Sequence, residues 1–233
     1  MTHQATRRAF LTAGGASATL WPLVTAMAQD DVDAKPELPS KYAKILFFGR
    51  DLSKWAAKKG GPAAWKVKDG YMEVAPKSGD IHTKDVFGDF QLHVEFWLPL
   101  MAEATGQARA NSGVYLQGRY EVQVLDSYGL QSQNNDCGAI YKVAAPLHNA
   151  NKKPERWQTY DIAFRAARLD ASGAVTGKAR VTVFHNGIMI QNNLEVPVAS
   201  AGGLDADMTK PGPILLQDHG NLVRYRNIWI MPV

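Results

Sequence analysis

Three segments close together in the sequence repeat one arrangement of chemically useful side chains. From Asp89 to Leu98, His93, Glu95 and Trp97 alternate with Phe90, Leu92, Val94 and Phe96. From Ser112 to Gly118, Tyr115 and Gln117 oppose Val114 and Leu116. From Arg119 to Asp126, Glu121 and Gln123 oppose Tyr120, Val122 and Val124. A merely solvated strand face carries mostly lysine, threonine, serine and glutamate, whereas these polar sets mix aromatic rings with amides, an imidazole and carboxylates. Rings stack on the apolar C–H faces of a pyranose while planar amides and carboxylates read its hydroxyls, so the pattern suits a sugar. A polar face is expected of any half-buried strand, and it is the repetition across three segments that raises the pattern above that background.

Two loop segments extend the set. Asn111-Ser112-Gly113 carries residues that bond their own backbone, as a turn requires, and Gln217-Asp218-His219-Gly220 places three polar groups after an apolar run. Asp218 there fits ordinary turn chemistry, whereas His219 is able to serve as base, acid or metal ligand. Cys137 is the sole cysteine, with no histidine near it in sequence. It reads as a small buried apolar residue rather than a nucleophile, and no internal disulfide is available to the chain.

The elements that must carry these residues are strands. Trp65–Val74 is broken by Asp69-Gly70 and Val181–Ile190 by Asn186-Gly187, both signatures of tight hairpins with positive φ. Further strands are expected at 45–48, 139–142, 158–165, 213–217 and 223–231. No long segment has helical period. Many short strands between turn signals predict an all-β fold, an antiparallel sandwich of jelly-roll size with two sheets. The N-terminus reads differently: Arg7-Arg8 precede Phe10-Leu11, an Ala/Gly-rich weakly apolar run and Ala26-Met27-Ala28. We read residues 1–28 as a twin-arginine signal peptide, 29–40 as a linker and 41–233 as the domain, with a periplasmic or secreted destination and no membrane span. Arg7 and Arg8 supply two of the +4 formal charges. The remainder is near neutral without a basic stripe, which excludes nucleic acid as an expected partner.

The residues also resemble a known family. The blocks are Ile45 to Trp55, Gly88-Asp89-Phe90 with Glu95-Phe96, Asn111 to Tyr115, Tyr120 to Asp126 and Gly138 to Tyr141. They continue with Trp157 to Tyr160, His185-Asn186-Gly187, Gly212 to Gly220 and Arg226-Asn227-Ile228. Order and spacing resemble the 3-keto-disaccharide hydrolases, also described as 3-keto-glucoside 1,2-lyase/2-hydroxy-glucal hydratase domains, from about Tyr42 to the C-terminus. The resemblance implies a concanavalin-like jelly roll. It also implies a substrate whose glucosyl 3-hydroxyl has been oxidised beforehand by a separate sugar 3-dehydrogenase. Phe96-Trp97-Leu98, the stretch Met101 to Arg109 and the stretch Gln131 to Asp136 depart from the family pattern and bear on which aglycone fits.

A 3-keto group acidifies the hydrogen on C2, so removal of that proton and loss of the C1 substituent give a 2-hydroxy-glucal, and water adding back completes hydrolysis. Such a site needs a base, a group that holds the enolate oxygen and an acid for the leaving oxygen. Under the resemblance Glu121 and His93 are the acid/base candidates, and Glu95 orients the histidine or shares a metal with it. Asn111, Tyr115, Gln117, Gln123, Gln217 and Trp97 would contact the sugar. His219, Lys142 and Arg226 are candidates for polarising the ketone, with Arg226 equally suited to pairing with a buried carboxylate such as Asp126. A divalent cation held by His93, Glu95 and His219 is an option that no spacing motif supports. Two rivals stand beside this reading. One is a conventional glycosidase using Glu95 and Glu121 as its carboxylate pair, and the other is a non-catalytic sugar-binding protein.

Overall fold

The computed structural model describes residues 38–233, so the expected signal peptide and all but the end of the linker lie outside the described residues. Among the described residues, fifteen strands and a 3₁₀ turn at Gly106–Ala108 make up the regular structure. They run as β1 (Lys44–Phe47), β2 (Trp55–Ala57), β3 (Lys66–Lys68), β4 (Tyr71–Glu73), β5 (Ile81–Thr83), β6 (Phe90–Trp97), β7 (Asn111–Leu116) and β8 (Tyr120–Leu125). After a long connection come β9 (Trp157–Arg165), β10 (Arg168–Leu169), β11 (Val175–Gly177), β12 (Ala179–His185), β13 (Ile188–Val196), β14 (Leu215–Leu216) and β15 (Arg224–Pro232).

The larger sheet has the order β13-β12-β9-β6-β15-β4-β3, with β1 also pairing β15, and the smaller has the order β2-β5-β14-β7-β8. All these pairings are antiparallel, and the two sheets stack as the expected jelly-roll sandwich. No helix among the described residues is long and apolar enough to cross a membrane. Both expected hairpins form. Asp69 and Gly70 take φ of 49° and 83°, and Asn186 and Gly187 take 52° and 79°, the mirror-image turn that matches strand twist. The strand expected at 139–142 does not form. Ile140 makes only isolated bridges to Val122 and Ala144 while the chain turns back on itself, because Lys142 takes φ 60° and its N–H is spent on Asn134 O.

One apolar layer fills the space between the sheets. Phe90, Leu92, Val94 and Phe96 of β6 enter it from one side and Tyr120, Val122 and Val124 of β8 from the other, all essentially buried. Phe164 on the large sheet stacks with Phe90 at 5.0 Å and meets Tyr120 of the small sheet at 5.6 Å. The Tyr160 hydroxyl on β9 crosses the same layer to donate to Gln123 O at 2.7 Å. Because the strand period is two, inward placement of the apolar set fixes the polar set outward. β6 and β8 lie in different sheets, so their polar sets face away from one another.

Tyr160 thus provides a buried polar tie between sheets. Tyr160→Phe should lower stability by about 1–2 kcal/mol, at the modest end for a lost buried hydrogen bond because Gln123 O keeps the Gly138 N–H at 2.9 Å. Denaturant titration measures this, and an unchanged midpoint would mean the bond contributes nothing net.

Candidate active site

The two polar sets that the sequence groups together are separated by the core. On the outer face of the large sheet, Glu95 is fully buried under a mesh of donors. Arg226 Nε donates to Glu95 Oε2 at 2.6 Å and Asn227 Nδ2 to Oε1 at 2.7 Å. A bulge in β15 makes this double contact possible: Asn227 takes φ 45°, and the register against β6 shifts between Arg226 and Trp229. Burial alone would raise the Glu95 carboxyl, but hydrogen bonds from His93, Asn227 and Arg226 outweigh it and hold it below its ordinary value. His93 is wedged between Asp161 Oδ1, 2.7 Å from Nδ1, and Glu95 Oε1, 3.6 Å from Nε2, with Trp229 stacked on its ring at 4.9 Å. Trp97 lies beneath the Arg224 guanidinium at 4.1 Å and Trp157 beneath that of Arg226 at 4.1 Å. This charge network anchors β15 to β6.

The other polar set lines a cavity of about 210 Å³ on the outer face of the small sheet, walled by Gln107, Asn111, Tyr115, Glu121, Gln123, Tyr141, Ala201, Gly202, Gln217 and His219. Its floor is the β7–β8 hairpin. The connecting turn runs Leu116 to Arg119 with positive φ at Gln117 and Gly118, and it sets Tyr115 opposite Glu121 and Gly113 opposite Gln123. The missing side chain at Gly113 leaves a notch into which the diagonally placed Glu121 leans. A Cβ built there would overlap Glu121 Oε1 and come within 3.0 Å of Tyr115 Cε2.

Glu121 is 3% exposed, and it is the single acidic side chain lining this cavity among the described residues. Burial pushes its carboxyl from 4.5 up to about 7; the Tyr115 hydroxyl works against that rise and the charge of nearby Asp80 adds to it. Burial first, and then the Glu121 charge, raise Tyr115, so its phenol stays a neutral donor. That hydroxyl bonds Ala201 O at 2.9 Å and receives Gln217 Nε2 at 3.1 Å. Asn111 Oδ1 and Gln217 Oε1 are buried acceptors with no partner within the protein. Such atoms are costly unless a ligand donor meets them. His219 is exposed at the mouth.

The structure therefore gathers Asn111, Tyr115, Glu121, Gln123, Gln217 and His219 into one site. It removes His93, Glu95, Trp97 and Arg226 from it, because β6 and β15 belong to the opposite sheet. Gln117 sits in the hairpin turn with its amide donating to Phe87 O at 2.9 Å and Gly88 O at 3.3 Å, which is a structural role. Lys142 is exposed beside the site, its Nζ 5.5 Å from the centroid of the Tyr141 ring. Arg226 pairs with Glu95, while the suggested partner Asp126 is taken by Arg109 Nη2 at 2.6 Å. Asp218 performs turn chemistry, accepting from Gly220 N and Gly79 N at 2.9 Å each. The Cys137 thiol is buried against the Tyr160 hydroxyl and burial pushes it up to about 11. His93, Glu95 and His219 do not converge, and no cluster of three or more His, Cys, Asp or Glu suited to a metal occurs among the described residues. The residues present thus do not fit the divalent-cation option.

Gln107, Tyr141, Ala201 and Gly202 are members of the site that strand alternation does not reveal, since all lie in connections. Gln107 is built in by Asn111 Nδ2, which donates to its carbonyl at 3.0 Å, and by Gln123 Nε2, which donates to its Oε1 at 3.0 Å. The result is a small polar pocket on a jelly-roll sheet that holds one carboxylate among amides and phenols, groups able to read hydroxyls.

The chain matches the 3-keto-alpha-glucoside-1,2-lyase-like domain over residues 43–231, and it belongs to that family. Its fold is shared with a candidate glycosyl hydrolase from Parabacteroides distasonis at 42% identity and TM-score 0.76, covering 83% of this chain and 84% of that one. A second candidate glycosyl hydrolase from the same organism aligns at 18% identity and TM-score 0.63, over 85% of this chain and 99% of that one, and shows the fold alone. No curated protein sequence matches this chain.

Two outcomes follow from the geometry. Gly113→Ala should fold, because the atom displaced is the free end of a flexible side chain, but it pushes the Glu121 carboxylate out of place. A shift of about 1 Å in a reacting group costs on the order of 10²-fold in rate. If Glu121 is a reacting group, Gly113→Ala should lose activity by that factor, and wild-type turnover in this variant would rule out such a role. Separately, a folded-state pKa of about 7 against 4.5 means that the native state holds a proton the unfolded chain has lost, so stability declines as pH rises through that window. Glu121→Gln should match the wild type near pH 4 and exceed it by up to about 3 kcal/mol at pH 8, read by denaturant titration at both pH values.

Proposed function

We propose that this protein cleaves 3-keto-glucosides, including 3-keto-disaccharides, by 1,2-elimination followed by hydration, with Glu121 as the base. The observation that carries the reading is the single buried carboxylate in the cavity, raised to about 7. A base for an acidified C–H works best with a pKa near the operating pH, and that is where burial puts Glu121. A conventional glycosidase needs two carboxyl groups about 5–10 Å apart across the scissile bond. Glu95, which the sequence offered as the second, is locked in its own ion pairs on the other sheet.

Glu121 takes the C2 proton, the electron pair passes into the C2–C3 enolate, and the C1–O1 bond then breaks. The product is the 3-keto-2-hydroxy-glucal, and the leaving oxygen is protonated at the open mouth. Water then adds to C1, its released proton replacing the one that the leaving oxygen took from solvent at the mouth, and a proton returns from Glu121 to C2, so the sum is hydrolysis. His219 at the mouth is the donor to the ketone oxygen as charge develops there. Asn111 Oδ1 and Gln217 Oε1 accept sugar hydroxyls, which resolves their unpaired state. Export by the twin-arginine route would place the protein in the periplasm or outside the cell, with substrate made by a separate sugar 3-dehydrogenase.

The test offers purified protein a glucoside and its 3-keto form in parallel. Release from the 3-keto form alone, with a transient enone absorbance, is expected; release from the plain glucoside overturns the mechanism. Glu121→Gln should lose at least about 10²-fold in kcat. The wild-type kcat/KM should fall as pH drops below about 7, because the base is then protonated.

A further inference from the structure

We propose that Lys58 and Asp80 are positioning residues for this site, a pair that fastens both loops at its mouth and sets the local charge around Glu121. This rests on the reading of Glu121 as the base. Lys58 follows β2 and Asp80 precedes β5, and neither strand contributes a lining side chain to the cavity. Lys58 Nζ donates to Asp80 Oδ2 at 3.0 Å and to the carbonyl of Gly202. Asp80 Oδ1 accepts the backbone N–H of Asp218 at 2.9 Å, one residue from His219. One ion pair thus grips the 200–203 segment with its cation and the 217–220 segment with its anion.

Both segments bear on the reacting groups. Gly202 packs so closely on Tyr115 that an added Cβ would lie 2.9 Å from the phenol oxygen, and the adjoining Ala201 O accepts that phenol at 2.9 Å. Ser200 Oγ accepts the Glu121 N–H at 3.0 Å. Asp218, held on the other side, orients the loop that presents His219. The side chains of Lys58 and Asp80 are 27% and 15% exposed, sheltered enough that salt screens the pair less than a surface contact.

The pair is also electrically asymmetric. The titratable and charged groups around Glu121 are Tyr115 on β7, Tyr141 and Lys142 in the turn after β8, His219 at the mouth, and Asp80 backed by Lys58. The Asp80 charge disfavours ionised Glu121. The Lys58 ammonium, 3.0 Å from Asp80, carries the opposite sign and by Coulomb's law acts against that effect. The two members therefore push the same carboxyl in opposite directions, which a purely structural brace would not do.

The experiment follows the Glu121 carboxyl by ¹³C NMR titration and the acid limb of kcat/KM in the wild-type protein, Asp80→Asn, Lys58→Met and Lys58→Arg. Glu121→Gln serves to assign the signal. Asp80→Asn keeps an acceptor for Asp218 N–H and should move the midpoint down by roughly half a unit or more, about threefold in proton affinity. Lys58→Met should move it up, and Lys58→Arg should restore it. Midpoints that stay put, or that move the same way in both charge-removing variants, overturn the proposal. The NMR shifts need no substrate. Opposite shifts in a protein inactive on 3-keto-glucosides would sink the substrate reading while leaving the pair's role standing.

Discussion

Both sheets draw on a single apolar layer, and the pleat converts that shared demand into a rule for every polar residue. Val94 and Phe96 must reach the layer from the large sheet and Val122 and Val124 from the small one. Their sequence neighbours Glu95 and Glu121 are thereby sent to opposite outer faces of the sandwich. Nothing in the chemistry of the two glutamates decides this; the membership of β6 and β8 in different sheets does.

The same two residues show how burial alone leaves a carboxylate's role open. Glu95 is completely enclosed yet stays readily ionised, since Arg226, Asn227 and His93 compensate what it loses in hydration. Glu121 is nearly as enclosed, but it faces a phenol and a second acid rather than a cation, and its proton affinity rises to about 7. One becomes a rivet between β6 and β15, and the other a carboxyl held near neutrality, the base of the proposed reaction. The site depends on small things that keep Glu121 in that condition: the notch at Gly113, the Tyr115 phenol, and the loop backbone at Ser200 to Gly202.

Family membership over residues 43–231 agrees with these features without assigning roles among them. The physical reading adds that the departures in 101–109 and 131–136 meet at the cavity wall. Gln107 Nε2 donates to Asn135 O at 2.8 Å, so the two segments form one continuous rim rather than separate loops. A rim laced by amides is a polar surface beside a small cavity of about 210 Å³.

Much of this was legible in the chain itself. Alternation at 90–97 and 120–125 identified the strands and their apolar faces. Asp69-Gly70 and Asn186-Gly187 identified two hairpins, because few residue pairs accept positive φ in succession. Glu121, Tyr115, Gln123, Asn111, Gln217 and His219 could be singled out by type and position. Local pattern, however, has no means of reporting which sheet a strand joins, since that is fixed by hydrogen bonds between residues far apart in sequence. So the grouping of His93, Glu95, Trp97 and Arg226 with Glu121 failed, as did the strand at 139–142. Lys58, Asp80, Gln107 and Gly202 were invisible for the same reason: each is tied to the site by contacts with residues distant in sequence, which no local periodicity reports. The sequence determined which residues would alternate as polar and apolar along each strand. The tertiary structure decided which carboxylate would be neutralised by partners and which would be left, desolvated and nearly alone, to hold a proton.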